Sequence, residues 1–300
     1  MAESRIKIRA IGVPFDPQYS SCSNIKPKDF DWSIESGEID VHIDRGMMIN
    51  PHKNTPKEKR FGWVCESRFI VMDVYEFLVA HHKQLFEQHF SKIFTCDKTL
   101  LNLHPNFVYC PNGSNFPWVP KDQWKIYPKT KLCSMFCSPK RMTLGQEYRH
   151  KIAKVAIDMG FDVFGGAHGT PRTVLDPQNP WNTKLDGVKD YMFSIVMENG
   201  IYDDYWTEKI TDCFATGTIP VYWGSPSIGK HFNMDGIIVF DYSFDMNILT
   251  KETYVSKIDT LKDNLERVKN LSVSDDILFG NISEKKFKDD SLLGVYKTKP

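Results

Sequence analysis

The residues best suited by type to do chemistry fall in one short run of this sequence. Glu198-Asn199 follows the apolar segment Tyr191-Met-Phe-Ser-Ile-Val-Met197, and Tyr205-Trp-Thr-Glu208-Lys209 opens the next helical stretch. The apolar segment reads as a central strand and Thr207 as a helix N-cap, so both groups sit in the connection that leaves a strand C-terminus. The free N–H groups of a helix's first turn can hold an anion there, and Lys209 adds a full positive charge. Glu208 opposes an anion unless it accepts hydrogen bonds from the vicinal hydroxyls of a ribose. Together these residues describe a nucleotide pocket that needs no metal. The alternative is a Glu208 that only complements the helix dipole beside a solvated Lys209, and spacing alone does not separate the two. Further on, Gly217-Thr-Ile-Pro-Val-Tyr-Trp-Gly224-Ser225-Pro226 places a glycine where a phosphate or ring could approach the backbone, or where a strand simply turns into a loop.

Other reactive types carry less. Asp203-Asp204 lacks the D-x-D spacing of a metal-holding pair and reads as a solvated turn. His168, in Gly-Ala-His-Gly, either contacts a ligand or is a loop histidine satisfied by backbone partners. His81-His82 on a helix lacks a partner at the spacing zinc requires. The seven cysteines are an odd number in a chain too large to need disulfide staples, and they read as reduced thiols. The Cys133-x3-Cys137 pair has no second Cys/His pair at a zinc-ligand spacing, which makes both core or half-buried thiols. Phe116, Trp118 and Trp124 could stack on sugar faces or seal a cleft.

The elements that must position these groups follow from hydrophobic period and punctuation. Ile6-Lys-Ile-Arg-Ala-Ile-Gly-Val13, Ile39-Asp-Val-His-Ile43, Phe61-Gly-Trp-Val-Cys65, Ile93-Phe-Thr-Cys96 and Phe107-Val-Tyr-Cys110 read as strands, with a helix over 72–90. The stretch from Asn50 to Arg60 reads as a charged, solvated loop. The run from Pro111 through Pro120 is the best linker candidate, giving a first domain over 1–125 and a second over 126–300. The second restarts with strands at 132–137 and 161–164 around a helix over 144–159. It continues with the strand at 191–197, a helix at 207–216 and strands at 218–223 and 237–240. Strands alternating with crossovers imply an α/β fold of two doubly wound parallel sheets, with ligands bound off the strand C-termini in the cleft between them.

Composition narrows the function class. At 300 residues, 41% hydrophobic and 25% charged, the chain can bury one large or two modest cores. Thirty-eight basic residues balance 38 acidic ones, so no global field draws nucleic acid or an anionic membrane. Wholly apolar runs such as Phe69-Ile-Val-Met72 are far short of the roughly 20 residues of a membrane span, and MAESRIKIRA does not resemble a signal peptide.

The segment from Tyr191 to Phe240, YMFSIVMENGIYDDYWTEKITDCFATGTIPVYWGSPSIGKHFNMDGIIVF, resembles the donor-binding motif of the α-1,3/4-fucosyltransferases, glycosyltransferase family 10. The run TIP-x-YWGSPS is similar to the bacterial members, and Met197 stands where Phe is usual. The resemblance implies a GT-B enzyme of two Rossmann-like domains, the acceptor-side one first and the GDP-sugar domain second. It implies that Tyr205, Glu208 and Lys209 contact the nucleotide, with Glu208 on ribose and Lys209 on diphosphate, and that Asn199, Gly224 and Ser225 lie in the donor site. An arginine from the helix before Gly165-Gly166 is expected too, and Arg149 fits better than Arg141. The family's base, a first-domain Glu at a strand end, maps by context to Glu66; the alternative is a carboxylate paired with Arg68. The expected reaction is an inverting transfer of fucose from GDP-fucose to a glycan hydroxyl, α-1,3 by family default, with no metal or other cofactor. Neither the membrane anchor of animal members nor bacterial heptad repeats are found, so a soluble, cytoplasmic enzyme is expected. Two alternatives remain open: a transferase using another GDP-sugar, and a non-catalytic nucleotide- or glycan-binding protein on the same scaffold. An NAD-dependent epimerase would need G-x-G-x-x-G after the first strand, where Gly12-Val-Pro14 stands instead.

Overall fold

The computed structural model describes residues 5–22, 25–49, 54–171, 182–241 and 244–283. Part of the charged 50–60 loop, residues 172–181 and the stretch from Glu284 onward lie outside them. The first lobe comprises β1 (Ile6–Ile11), β2 (Phe30–Ser33), β3 (Ile39–Ile43), β4 (Arg60–Trp63), α1 (Met72–Gln88), β5 (Lys92–Thr95), α2 (Lys98–Leu103) and β6 (Phe107–Tyr109). The second comprises β7 (Lys131–Phe136), α3 (Leu144–Asp158), β8 (Asp162–Phe164), α4 (Asn182–Asp186), β9 (Tyr191–Met197), α5 (Glu208–Thr216), β10 (Ile219–Trp223) and β11 (Ile238–Val239), followed by α6 (Lys251–Ser256) and α7 (Ile258–Lys269). A last helix, α8, spans Ser274–Ile282.

Both sheets are parallel, as the alternation of strands and crossovers predicts. Their orders, β2-β1-β3-β4-β5-β6 and β8-β7-β9-β10-β11, are the doubly wound pattern in which the chain reverses direction beside the first strand of each lobe. The reversal opens a crevice at the C-termini of β1 and β3 in one lobe and of β7 and β9 in the other. The sequence reading missed β2, because only Phe30 and Trp32 alternate inward within a polar loop. Two glycines let the exits of β1 and β3 touch: a Cβ on Gly12, whose φ is +80°, would lie 2.7 Å from the Gly46 Cα, and one on Gly46 would lie 2.2 Å from the Ile11 carbonyl oxygen. Among the described residues no helix is long and apolar enough to cross a membrane.

The expected second domain runs to residue 300, yet α8 packs in the first lobe. Leu278 and Phe279 join the core of Ile8, Phe30, Trp32, Val41, Trp63 and Phe94, and Phe279 stacks on Phe30 at 5.2 Å. The Asp275 carboxylate accepts the Trp32 indole N–H at 2.7 Å and the Ser21 hydroxyl at 2.6 Å. The physical reason is that the β2 side of the first sheet has large aromatics to cover, which helix α1, on another part of that sheet, does not reach. Leu278→Ala should therefore cost about 2–5 kcal/mol of stability, read as a lower urea midpoint at unchanged slope. A loss below about 1 kcal/mol would show α8 to be peripheral.

Candidate active site

A cavity of about 630 Å³ opens between the two crevices, and its walls come from both lobes. Pro14, Phe15 and Asp16 after β1 and Glu66 after β4 face Ser138 after β7, Arg149 on α3, Gly165 after β8, Met197 and Asn199 at the end of β9, and Glu208, Lys209 and Asp212 on α5. Its size is that of a small-molecule site and its place is the one doubly wound sheets reserve for ligands.

Glu198 organises the second-lobe wall. Its side chain has no solvent exposure, and its carboxylate accepts the Thr207 backbone N–H at 2.9 Å, the Thr207 hydroxyl at 2.9 Å and the Lys209 ammonium at 3.2 Å. Thr207 caps α5 as predicted, its hydroxyl accepting from the Lys209 N–H. Burial pulls the Lys209 pKa down, but Glu198 and Glu208 more than offset it, and the ammonium is held above its ordinary value. Arg149 reaches the same spot from α3: its guanidinium donates to the Met197 carbonyl at 2.6 Å and to the Asn199 side-chain oxygen at 3.3 Å. Burial lowers its pKa, with Glu198 working in the opposite direction. The first turn of α3 lies against the connection that leaves β9: a Cβ on Gly145 would sit 2.5 Å from the Asn199 carbonyl oxygen.

Glu208 is buried, its carboxylate 3.5 Å from the Lys209 ammonium. Burial alone would raise its pKa; the charges of Lys209 and Lys184 bring it below the usual value, so it faces the cavity as an anion. Tyr205 is buried and stacks on Tyr202 at 4.6 Å, and burial, with the charge of Glu198 next, pushes its phenol well above the ordinary range. Gly224 and Ser225 are not in the cavity wall. A Cβ on Gly224 would meet the Tyr222 hydroxyl at 2.3 Å and the Glu198 Cγ at 2.8 Å, so this glycine makes room for Glu198. Ser225 is buried, donating its N–H to the Tyr222 hydroxyl at 3.1 Å.

Across the cavity, Glu66 is half-buried in the first-lobe wall. Arg68 does not pair with it; the Arg68 guanidinium lies 3.3 Å from Asp97 and 4.2 Å from the Tyr202 ring. The Asp44 carboxylate, in a left-handed backbone position at φ +46°, accepts the N–H groups of Cys65 at 2.9 Å and Glu66 at 3.3 Å and so fixes the turn that presents Glu66.

The sequence reading missed two members of this wall, Asp212 and Lys184. Asp212, one turn along α5 from Glu208, accepts the N–H groups of Trp118 at 2.7 Å and Val119 at 2.9 Å, while its other oxygen has no hydrogen-bond partner among the described residues. Lys184 extends its ammonium over the Phe136 ring at 4.5 Å and the Trp118 ring at 5.3 Å. Trp118 lines the cavity, whereas Phe116 and Trp124 pack on each other at 5.2 Å in the core. The helical spacing of Asp212 from Glu208 was the available signal. Asp204 is a correction: it is not a solvated turn but a buried carboxylate bonded to Ser227 at 2.9 Å and Lys230 at 3.2 Å, its pKa lowered to about 2, against burial, by these partners and His231. His168 turns away from the cavity toward His150.

The second lobe is similar to known proteins. Residues 126–251 match the family described as glycosyltransferase family 10 (fucosyltransferase), C-terminal part. This stretch, which falls in the second lobe, is similar to that family. The chain is 42% identical over 64 residues to the α-(1,3)-fucosyltransferase FucT of Helicobacter pylori, a match covering 21% of this chain and 13% of that protein. It is 33% identical over 89 residues to human GDP-fucose protein O-fucosyltransferase 3, covering 28% and 18%. It is 25% identical over 166 residues to the putative fucosyltransferase R654 of Acanthamoeba polyphaga mimivirus, covering 53% and 24%. The matches thus span a quarter or less of these relatives' lengths. A crystal structure of an α1,3-fucosyltransferase with GDP aligns over 92% of this chain and 94% of its own at a TM-score of 0.50 and 15% identity, which shows the shared GT-B fold.

The second lobe also carries a pH signature. Burial raises the Asp212 carboxyl to about 7, against a usual value near 4. Between those values the folded chain binds more protons than the unfolded one, so this group's contribution to stability falls as pH rises through that window. Asp212→Asn keeps an acceptor for Trp118 and Val119 and removes the titration. The variant should gain stability relative to wild type, on the order of a few kcal/mol, between pH 5 and pH 8 in urea unfolding. A difference between the two proteins that stays constant with pH would contradict this.

Proposed function

We propose that this chain transfers fucose from GDP-fucose to a hydroxyl of an acceptor glycan with inversion, forming an α-1,3 linkage. The observation that carries the proposal is the convergence of Lys209, Arg149 and the N-terminus of α5 on one cavity wall, opposite the half-buried carboxylate Glu66 of the other lobe. In this reading the diphosphate lies against Lys209 and the first N–H groups of α5, where charge and dipole act together. Glu208 accepts the ribose hydroxyls, and Asn199, held by Arg149, borders the phosphates. As the C1–O bond to GDP breaks, negative charge grows on the β-phosphate, and fixed cations in a partly dry site stabilise that charge without reorganising. The acceptor hydroxyl attacks C1 from the face opposite GDP, and Glu66 takes its proton. Lys209, Arg149 and Lys184 supply the positive charge, so transfer should proceed without added Mg²⁺ or Mn²⁺.

Glu66→Gln is the direct test. Fucose transfer should fall by about 10²–10⁴-fold, the usual worth of a positioned base, while GDP raises the melting temperature as much as it does in wild type. Turnover at the wild-type rate in that variant would remove Glu66 from the chemistry. Stabilisation by GDP with no transfer to any acceptor sugar in the wild-type chain would favour a binding protein.

A further inference from the structure

We infer that Cys137, His150 and His168 form a binding site for a zinc-like divalent cation, separate from the donor cavity, that ties the Gly165-Gly166 turn to the end of β7 and to α3. The three ligand atoms, Cys137 Sγ, His150 Nδ1 and His168 Nε2, lie within 4.8 Å of one another. Cys137 Sγ is 3.7 Å from His150 Nδ1, and His150 Nδ1 is 3.0 Å from His168 Nε2. A tetrahedral ion with Zn–S of about 2.3 Å and Zn–N of about 2.05 Å spaces such atoms by roughly 3.6 and 3.3 Å, so two of the three edges need only small adjustments.

The tautomer is also set for ligation. His150 Nε2 lies 3.1 Å from the Lys140 carbonyl oxygen, which can only accept, so the ring proton sits on Nε2 and the Nδ1 lone pair points at the other two ligands. That backbone partner is what a metal-bound histidine ordinarily has on its far nitrogen. His150 and Cys137 are buried and rigidly framed: the Cys137 N–H donates to the Phe164 carbonyl at 2.7 Å, and its carbonyl accepts from the Ala167 N–H at 3.2 Å. His168 is exposed and closes the set from a left-handed backbone position at φ +54°, leaving a fourth position open toward solvent. Of the nearby cations, Arg141 is engaged with Glu147 and Arg149 with the Met197 carbonyl, while the charge of Lys154 also reaches His168.

One thiolate and two imidazoles suit zinc and its cobalt substitute and exclude calcium and magnesium, which take oxygen ligands. Binding displaces the Cys137 thiol proton, so one proton is released to solvent for each ion taken up. The site is structural: it fixes the loop that follows Gly165, a residue of the cavity wall, and takes no part in the transfer.

Titration of the whole chain with Co²⁺ tests this independently of any nucleotide. The expected result is one equivalent bound, with thiolate-to-cobalt charge-transfer absorption and the visible bands of a four-coordinate ion, both lost on adding Zn²⁺. Cys137→Ser should abolish the charge-transfer band. His168→Ala, at an exposed position, should fold normally, keep its stabilisation by GDP and bind Co²⁺ at least roughly tenfold more weakly. No charge-transfer band in the wild-type chain, a band that persists in Cys137→Ser, or unchanged Co²⁺ affinity in His168→Ala would each overturn the assignment.

Discussion

A carboxylate sealed at the C-terminal end of a parallel strand must find its partners inside the protein, and Glu198 finds all of them on the next helix. It accepts the N–H and hydroxyl of Thr207 and the ammonium of Lys209 within 3.2 Å. Removing the carboxylate would take the acceptor from the buried Thr207 N–H and leave the Lys209 ammonium with Glu208 as its remaining carboxylate, a change that costs up to about 3–5 kcal/mol. Its function is directional. With Thr207 fixed, the first turn of α5 opens into the cavity, and Lys209 is held beside it at a defined height. Gly224 and Gly145 belong to the same construction, since a Cβ on the first would meet the Glu198 side chain and one on the second the Asn199 backbone.

The same connection also joins the lobes. Between Glu198 and Thr207 the chain passes over the first lobe, where Phe69 and Arg68 close on Tyr202, and a Cβ on Gly200 would lie 2.1 Å from the Phe69 ring. Tyr205 stacks on Tyr202 and borders the cavity, and the charge of Glu66 reaches its phenol. The segment that orients the N-terminus of α5 therefore also sets the distance to the opposite wall. Helix α8 adds a second tie by covering the aromatic face around Trp32 and Phe30. A shift in either contact would change the cavity from both sides at once.

Much of this was legible in the sequence because local signals and the global fold agree. The run from Tyr191 to Lys209 carries its strand, its cap and its charged groups within nineteen consecutive positions, so period and chemistry could be read together. Tyr205, Glu208, Lys209, Asn199 and Arg149 reach one wall. What could not be read depends on contacts distant in sequence. Asp212 looks like any helix carboxylate until Trp118 and Val119, over ninety residues earlier, supply its donors. The place of α8 needs the aromatic face of a sheet more than two hundred residues away. Gly224 and Ser225 sit beneath the cavity because the space above them is filled by Glu198 and Tyr222. Asp204 was misread because adjacent acids in a turn resemble a solvated pair, and only the fold brings Ser227 and Lys230 to it. Cys137 shows the same limit: its ring neighbours come from a helix and a loop, at no regular spacing from it.

If Lys209 is held for a diphosphate, calorimetric titration of Lys209→Gln with GDP and with guanosine will separate the two ligands. The substitution keeps a donor for Glu198 and removes one positive charge. GDP affinity should drop by roughly tenfold or more, about 1.4 kcal/mol, while guanosine binds as it does to the wild-type chain. Unchanged GDP affinity, or an equal loss for both ligands, would contradict that role of Lys209.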